Sequence, residues 1–252
     1  MKNNKALDNP TAKRRHGGID PRLLAGPCMA CNTRNMAICI ALSDEEVAAL
    51  EAIVTHQTFT PGQSVFFEGD PADHVYNITG GMLRLSKLLS DGRRQITGFL
   101  LPGDFLGFIR GDNYSFAAEA VTQANLCRFS LGDFMDLLDR FPKLEKRLLE
   151  RASNELAEAQ DQMLLLGRKS PKEKLASFLV RMAERQARAL GPSKELRLAM
   201  GRNDIADYLG LTIETVSRCF TQLRKDKILA LPESNIVIVK DGTRLRALHQ
   251  PG

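Results

Sequence analysis

Apolar positions follow three different rhythms along this chain of 252 residues. Over residues 59 to 129 they come in short pieces, cut by the turn signals Pro61-Gly62, Gly69-Asp70-Pro71, Gly80-Gly81, Asp91-Gly92 and Pro102-Gly103-Asp104. Such spacing predicts antiparallel β-strands, and the alternation of Leu83 and Leu85 predicts one buried face. The Asp91-Gly92 pair predicts a tight type I′ hairpin turn, which needs positive φ at both positions.

Over residues 142 to 167 the rhythm lengthens. Leu144, Leu148, Ala152, Glu155, Ala159, Met163 and Leu166 recur every three or four residues, the spacing of a coiled-coil seam. A dimerisation helix and a helix lying on its own β domain both satisfy it. Glu155 interrupts the apolar run. Because each seam position of a symmetric dimer faces its own copy, that carboxylate predicts weak pairing. Gly167 and Ser170-Pro171 end the helix and put a domain boundary near Arg168, after which residues 172 to 189 form another amphipathic stretch.

Residues 203 to 220, NDIADYLGLTIETVSRCF, hold two short helices around one glycine. Asn203 or Asp204 is placed to cap the first, Gly210 to supply a left-handed turn, and Thr212 to cap the second. Ile205, Ala206, Leu209, Leu211, Val216 and Cys219 then face inward. This is helix-turn-helix spacing. An ordinary αα-hairpin shares it, but the basic surroundings favour the DNA-binding form. Glu214, Ser217 and Arg218 share the opposite face of the second helix. A major groove gives Arg218 the O6 and N7 of guanine, Glu214 the N4 of cytosine, and Ser217 several edges. Arg202, Thr212, Arg224, Lys225 and Lys227 flank this face and suit phosphate contacts. Two β-prone runs over residues 228 to 240 predict a hairpin wing.

Charge sharpens this division. From residue 168 onward there are 17 Lys plus Arg against 9 Asp plus Glu, while the rest of the chain is slightly acidic. A basic third of this kind points to a polyanionic partner. Residues 1 to 25 are polar and aperiodic, reading as a flexible tail with no apolar export segment. No apolar run approaches the roughly 20 residues that span a bilayer, so a cytoplasmic location is expected.

Three of the five cysteines fall within GPCMACNTRNMAIC, residues 26 to 39. A reducing compartment and an odd count argue against a disulfide framework. Cys28, Cys31, Cys39 and the distant Cys127 suit Zn²⁺ or an iron–sulfur cluster. Their spacing does not choose between these and buried free thiols. Cys219 reads as a small core residue. No phosphate-cradling glycine loop or catalytic triad appears, so no enzyme is expected.

The order of β-rich unit, seam helix, helix-turn-helix and wing resembles the CRP/FNR superfamily of bacterial transcription regulators. The specific runs are Pro61-Gly62 to Gly69-Asp70, QITGFLLPGDFLGF at residues 95 to 108, and LGLTIETVSR at residues 209 to 218; the last two resemble the FNR branch. The resemblance implies an α+β chain: flexible tail 1–25; cysteine cluster and antiparallel β-roll sensor, jelly-roll and cyclic-nucleotide-binding-like, 26–141; dimerisation helix 142–167; and winged helix-turn-helix DNA-binding domain 168–252. Cyclic-nucleotide members carry a Gly-Glu-Leu run and an Arg-Ser or Arg-Thr pair. Here Gly107-Phe108-Ile109 replaces the first, and residues 111 to 127 hold no arginine to meet a buried phosphate. No cyclic nucleotide is therefore expected.

The FNR branch holds an oxygen-labile [4Fe-4S] cluster, and the resemblance assigns its ligands to Cys28, Cys31, Cys39 and Cys127. Seven residues separate Cys31 from Cys39, where some members have five. The E-x-x-S-R pattern of Glu214, Ser217 and Arg218 implies TTGAT-N4-ATCAA-like inverted repeats in double-stranded DNA. Ile213 stands where CRP-type readers carry arginine. Arg93 and Arg94, beside the predicted hairpin, would touch RNA polymerase. The expected protein is a homodimeric, oxygen-responsive regulator of anaerobic or microaerobic genes, with the cluster promoting dimerisation. A haem sensor using His74, or a nitric-oxide sensor, remains open on the same scaffold. Outside regulation, an iron–sulfur redox protein is the alternative.

Overall fold

A computed structural model describes residues 27–107 and 111–250. The tail expected over residues 1–25 lies outside the described residues, as do Phe108 and Ile109. The cysteine loop leads through a 3₁₀ turn, Ile38–Ala41, into α1 (Asp44–Glu51). A capping box starts α1, with Ser43 accepting from the Glu46 amide and Glu46 accepting from the Ser43 amide.

Eight strands follow: β1 (Thr55–Phe59), β2 (Ser64–Phe66), β3 (His74–Gly80), β4 (Leu83–Leu88), β5 (Arg94–Leu100), β6 (Phe105–Leu106), β7 (Ala117–Ala120) and β8 (Ala124–Ser130). They form two four-stranded sheets, β1-β8-β3-β6 and β2-β7-β4-β5, with every pairing antiparallel. Phe59, Ile78, Leu83, Tyr114 and Leu126 share the core of this roll. The hairpin between β4 and β5 differs from the expected two-residue turn. The Leu89 amide donates to the Arg93 carbonyl at 2.8 Å and the Gly92 amide to the Leu89 carbonyl at 2.9 Å, with φ of 84° at Gly92. A three-residue loop ending in left-handed glycine matches the strand twist without forcing Asp91 to positive φ, and its carboxylate accepts from the Arg93 amide.

The chain then turns helical, with α2 (Leu131–Arg140), α3 (Pro142–Arg168) and α4 (Pro171–Leu190). At 27 residues α3 is about 40 Å long. Its apolar arc is too wide for one contact and divides into two. Leu144 and Leu148 are buried with Ile38, Phe129 and Phe134 of their own domain. Leu149, Leu156 and Met163 are 67%, 60% and 67% exposed and repeat every seven residues, with Ala152 and Ala159 between them and the exposed Leu166 three residues beyond. The available seam is therefore Leu149, Ala152, Leu156, Ala159, Met163 and Leu166. Leu144, Leu148 and Glu155 do not belong to it. Glu155 borders the groove between α3 and the roll; partial burial, then Asp104 and Glu158, raise its pKa. The stripe is free of charge, so the weak pairing expected from Glu155 loses its basis.

Beyond α4 come β9 (Glu195–Arg197), α5 (Arg202–Leu209), α6 (Ile213–Lys225), β10 (Leu229–Glu233), β11 (Ile236–Val239) and α7 (Gly242–His249). The wing has three strands, because β9 joins β11 on the side away from β10. The N-cap of α5 is Gly201, so Asn203 and Asp204 lie inside the helix. Asp204 turns toward the roll instead. Arg84 donates to its two carboxylate oxygens at 3.0 and 3.1 Å, and Arg94 to one of them at 2.7 Å. Arg94 also holds Asp207 at 2.7 and 2.9 Å, while Gln95 donates to the Asp207 carbonyl at 2.6 Å. Met82, Ile96 and Phe99 of the roll run into one core with α4 and α5.

Candidate metal centre and nucleic-acid interface

The cysteine loop lies over the β1-β8-β3-β6 sheet. Cys28, Cys39 and Cys127 are buried in one apolar cluster with Ile38, Leu42, Phe129 and Leu144, and Cys31 is half-buried. Cys127 comes from β8, about ninety residues away, and pairs in register with His56 of β1. All five cysteines are free thiols. Burial pushes Cys127 up to about 12, with Cys28, Cys31 and Cys39 adding to the rise. Burial likewise pushes Cys28 up to about 11, followed by Glu51, Cys39 and Cys31. The Cys39 thiol is raised by burial and then by Cys31. Cys28, Cys39 and Cys127 thus share one buried cluster, with Cys31 half-buried on the same loop. Cys31 Sγ sits 3.1 Å from the Thr33 hydroxyl and Cys127 Sγ 3.7 Å from His56 Nδ1. Among the described residues, no three His, Cys, Asp or Glu side chains stand close enough to grip a single metal ion.

The second site is local in origin. Gly210 takes φ 59° and ψ 44°, a left-handed turn that glycine enters without a Cβ penalty, and Thr212 caps α6 by accepting from the Thr215 amide at 3.2 Å. Val216, Cys219, Phe220 and Leu223 are buried, which leaves Glu214, Ser217 and Arg218 exposed on the other face. Arg218 donates to the Thr215 hydroxyl at 3.1 Å. The Glu214 carboxyl is held below its usual range by its own amide, then by the Thr212 hydroxyl and the nearby Arg218.

The residues expected at phosphates divide. Arg224 and Lys225, in the last turn of α6, and Lys227, just past its end, are exposed. Lys227 has φ 59°, the one positive value among described non-glycine residues, and closes the helix by donating to the Arg224 carbonyl at 3.0 Å. Arg202 is a correction. Its guanidinium lies 3.4 Å from the centre of the Phe220 ring and donates to the Ser234 carbonyl at 3.1 Å. Burial lowers its pKa. It ties α5 to α6 and the wing and has little reach left for a phosphate. Arg94 is likewise engaged by Asp204 and Asp207, leaving Arg93, 77% exposed and paired with Asp91, at the hairpin tip. Asp204 and Asp207 were missed as contacts. Two carboxylates three residues apart in a basic region were the available signal.

A β-roll, a long helix with an unpartnered apolar stripe, and a winged helix-turn-helix with a free reading face define a DNA-binding transcription regulator rather than an enzyme. The comparisons agree. Residues 56–141 match the cyclic nucleotide-binding domain and residues 173–248 the Crp-like helix-turn-helix domain. The chain is 47% identical over 215 residues to the transcriptional activatory protein AadR of Rhodopseudomonas palustris, across 85% of this chain and 87% of that protein. It is 38% identical over 222 residues to the transcriptional activator protein FnrL of Cereibacter sphaeroides, across 86% and 90% respectively. The solved structure of FixK2 from Bradyrhizobium japonicum superposes with a TM-score of 0.73 at 36% identity, covering 79% of this chain and 98% of that one. The chain belongs to the CRP/FNR family of transcription regulators, on its FNR branch. No helix among the described residues is long and apolar enough to cross a membrane.

Proposed function

We propose that this protein is an oxygen-responsive transcription activator that binds TTGAT-N4-ATCAA-like inverted repeats as a homodimer. The observation that carries the reading is that Cys28, Cys39 and Cys127 lie in one buried cluster, with the half-buried Cys31 on the same loop as the first two. Four soft thiols on an apolar floor fit a [4Fe-4S] cluster. The choice of a cluster over a lone Zn²⁺ rests on the resemblance to the FNR branch, since thiolates suit both. Such a group, when bound, would supply an iron–sulfide core open to oxidation by molecular oxygen. The chain's own part is mechanical: ligation ties the loop to β8, beside the inner face of α3, while the outer stripe of α3 meets a second copy. AadR and FnrL are named as activators, which supports activation.

Two further parts of the reading rest on packing. The roll interior beside β7 is filled by aromatic rings, with Phe66 stacked on Tyr114 at 3.6 Å and the Tyr114 hydroxyl donating to the His74 carbonyl at 2.6 Å. The arginines bordering the neighbouring cavity of about 330 Å³ are already held: Arg151 by the Gly103 carbonyl, Arg181 by Asp161, Arg185 by Asp104. This supports a sensor without a cyclic nucleotide. The hairpin tip carries exposed Leu88 and Leu89 beside Arg93, a small apolar patch with a charge, suited to RNA polymerase. The deciding experiment is an absorbance spectrum and iron count on anaerobically isolated protein, with affinity for the repeat measured before and after air. Iron-bearing, coloured protein that loses affinity in air is expected; colourless protein, or affinity indifferent to air, would refute the proposal.

A further inference from the structure

The inner face of α3 does more than fill the core. Leu144, Leu148 and Arg151 recur at i, i+4 and i+7, one face of a helix. The two leucines are buried with Ile38 and Cys39, so this end of α3 lies on the cysteine loop. Arg151 continues the face with a charge. Its guanidinium donates to the main-chain carbonyl of Met36, between Cys31 and Cys39, and to the carbonyl of Gly103 at 3.1 Å. The Gly103 turn is pressed against that loop. A Cβ at Gly103 would stand 2.7 Å from Met36 Cβ, and φ there is 94°. One side chain therefore joins the loop, the turn between β5 and β6, and the long helix.

Asp104, the next residue of that turn, carries the connection onward. It accepts from the Leu101 amide at 2.8 Å, stands 3.9 Å from Arg151 and binds Arg185 of α4. Arg185 also donates to the Phe99 carbonyl at 2.7 Å. The side chains of Arg151, Asp104 and Arg185 are 25%, 20% and 22% exposed, so solvent screens these contacts only in part. α4 in turn shares its core with α5 and α6.

We propose that Arg151 is a positioning residue through which the cysteine loop acts on the reading head, holding the Met36 carbonyl to α3 and, through Asp104 and Arg185, to α4. This rests on the reading that the cysteine loop is the regulated site. When the loop leaves, Arg151 loses the Met36 carbonyl that fixes its guanidinium, and with it the hold on the Gly103-Asp104 turn that keeps Asp104 on Arg185. The reading head then loses one of its restraints on the roll. The outer stripe of α3 is on a different face, so dimerisation does not depend on this step.

The test uses reduced, metal-free, full-length protein as wild type, Arg151→Met and Arg151→Lys, the last keeping the charge without the planar fork. Hydrogen exchange in residues 31 to 39 and in α4 is measured together with alkylation of Cys39 by iodoacetamide and affinity for the inverted repeat. Arg151→Met is expected to raise loop exchange and Cys39 alkylation about tenfold and α4 exchange severalfold, with Arg151→Lys between. Asp104→Asn should raise α4 exchange by less in the Arg151→Met background than it does alone, because the two residues act in series. Loop exchange unchanged in Arg151→Met, or a loosened loop with α4 exchange and DNA affinity unmoved, would overturn the proposal. Iron uptake is scored separately. A protein that takes up no iron yet shows this coupling supports Arg151's role and refutes the cluster; one that takes up iron while α4 ignores Arg151 does the reverse.

Discussion

α6 displays Glu214, Ser217 and Arg218 from one run of 13 residues, whereas the cysteine site joins three thiols of a loop to a fourth on β8. The reading face depends on helical periodicity, one cap and one left-handed glycine. The thiol site depends on a strand that pairs in the middle of the β1-β8-β3-β6 sheet and on a helix that covers the loop. A defect in α6 should therefore cost one contact at a time. On the proposed function, a defect in the thiol site should remove the oxygen response as a whole, since a cluster with three ligands would not be three-quarters of a site.

Cys127→Ser puts this difference to its hardest test. Anaerobically prepared variant should retain essentially no iron, while Cys219→Ser, a change in the core of α6, should keep the wild-type iron count and spectrum. Equal iron in Cys127→Ser would mean that the loop holds metal alone. The next effect belongs to α3. Leu156→Glu places like charges opposite one another on the outer stripe and should weaken the dimer by about 3 kcal/mol, roughly a hundredfold, in sedimentation equilibrium. Glu155→Gln, one residue along, should leave dimerisation nearly unchanged. If the two behaved in reverse, the inner face would be the seam.

Smaller effects separate residues within the reading head. Arg218→Ala should cost about 1–3 kcal/mol at a matching site and relax preference at one base pair, read by titration against a panel of single-base variants. A uniform loss across the panel would make Arg218 a phosphate contact. Arg202→Ala should lower the melting stability of the protein by about 1 kcal/mol through loss of its stacking on Phe220, without changing the slope of DNA affinity against salt. A slope reduced by about one would restore Arg202 to the phosphates.

Much of this could be read in advance, and the exceptions share a cause. The strands between Thr55 and Ser130, the long helix, the Gly210 turn and the Thr212 cap each follow from a local pattern, because propensity and turn chemistry act over a few residues. The hairpin at Gly92 was placed correctly but given the wrong loop, since two- and three-residue turns share the same Asp-Gly signal. The expected seam divides between two faces. Ala152, Ala159, Met163 and Leu166 lie on the exposed stripe, but Leu144 and Leu148 show the same spacing and are taken up by the protein's own domain. Arg94 and Arg202 looked like free cations because their partners, Asp204 and Asp207 in one case and Phe220 and Ser234 in the other, lie far along the chain or across a turn.

By itself the sequence determined the order of elements, the family, the reading face of α6 and the four thiols available as ligands, all of them matters of residue type and short spacing. Only the tertiary structure decided which edge of α3 is left exposed, which arginines are already engaged, and that Cys127 is buried in one cluster with Cys28 and Cys39 of the loop. These outcomes turn on competition between a residue's several possible partners. The winner is set by which surfaces pack together, and no single stretch of chain contains both sides of that contact.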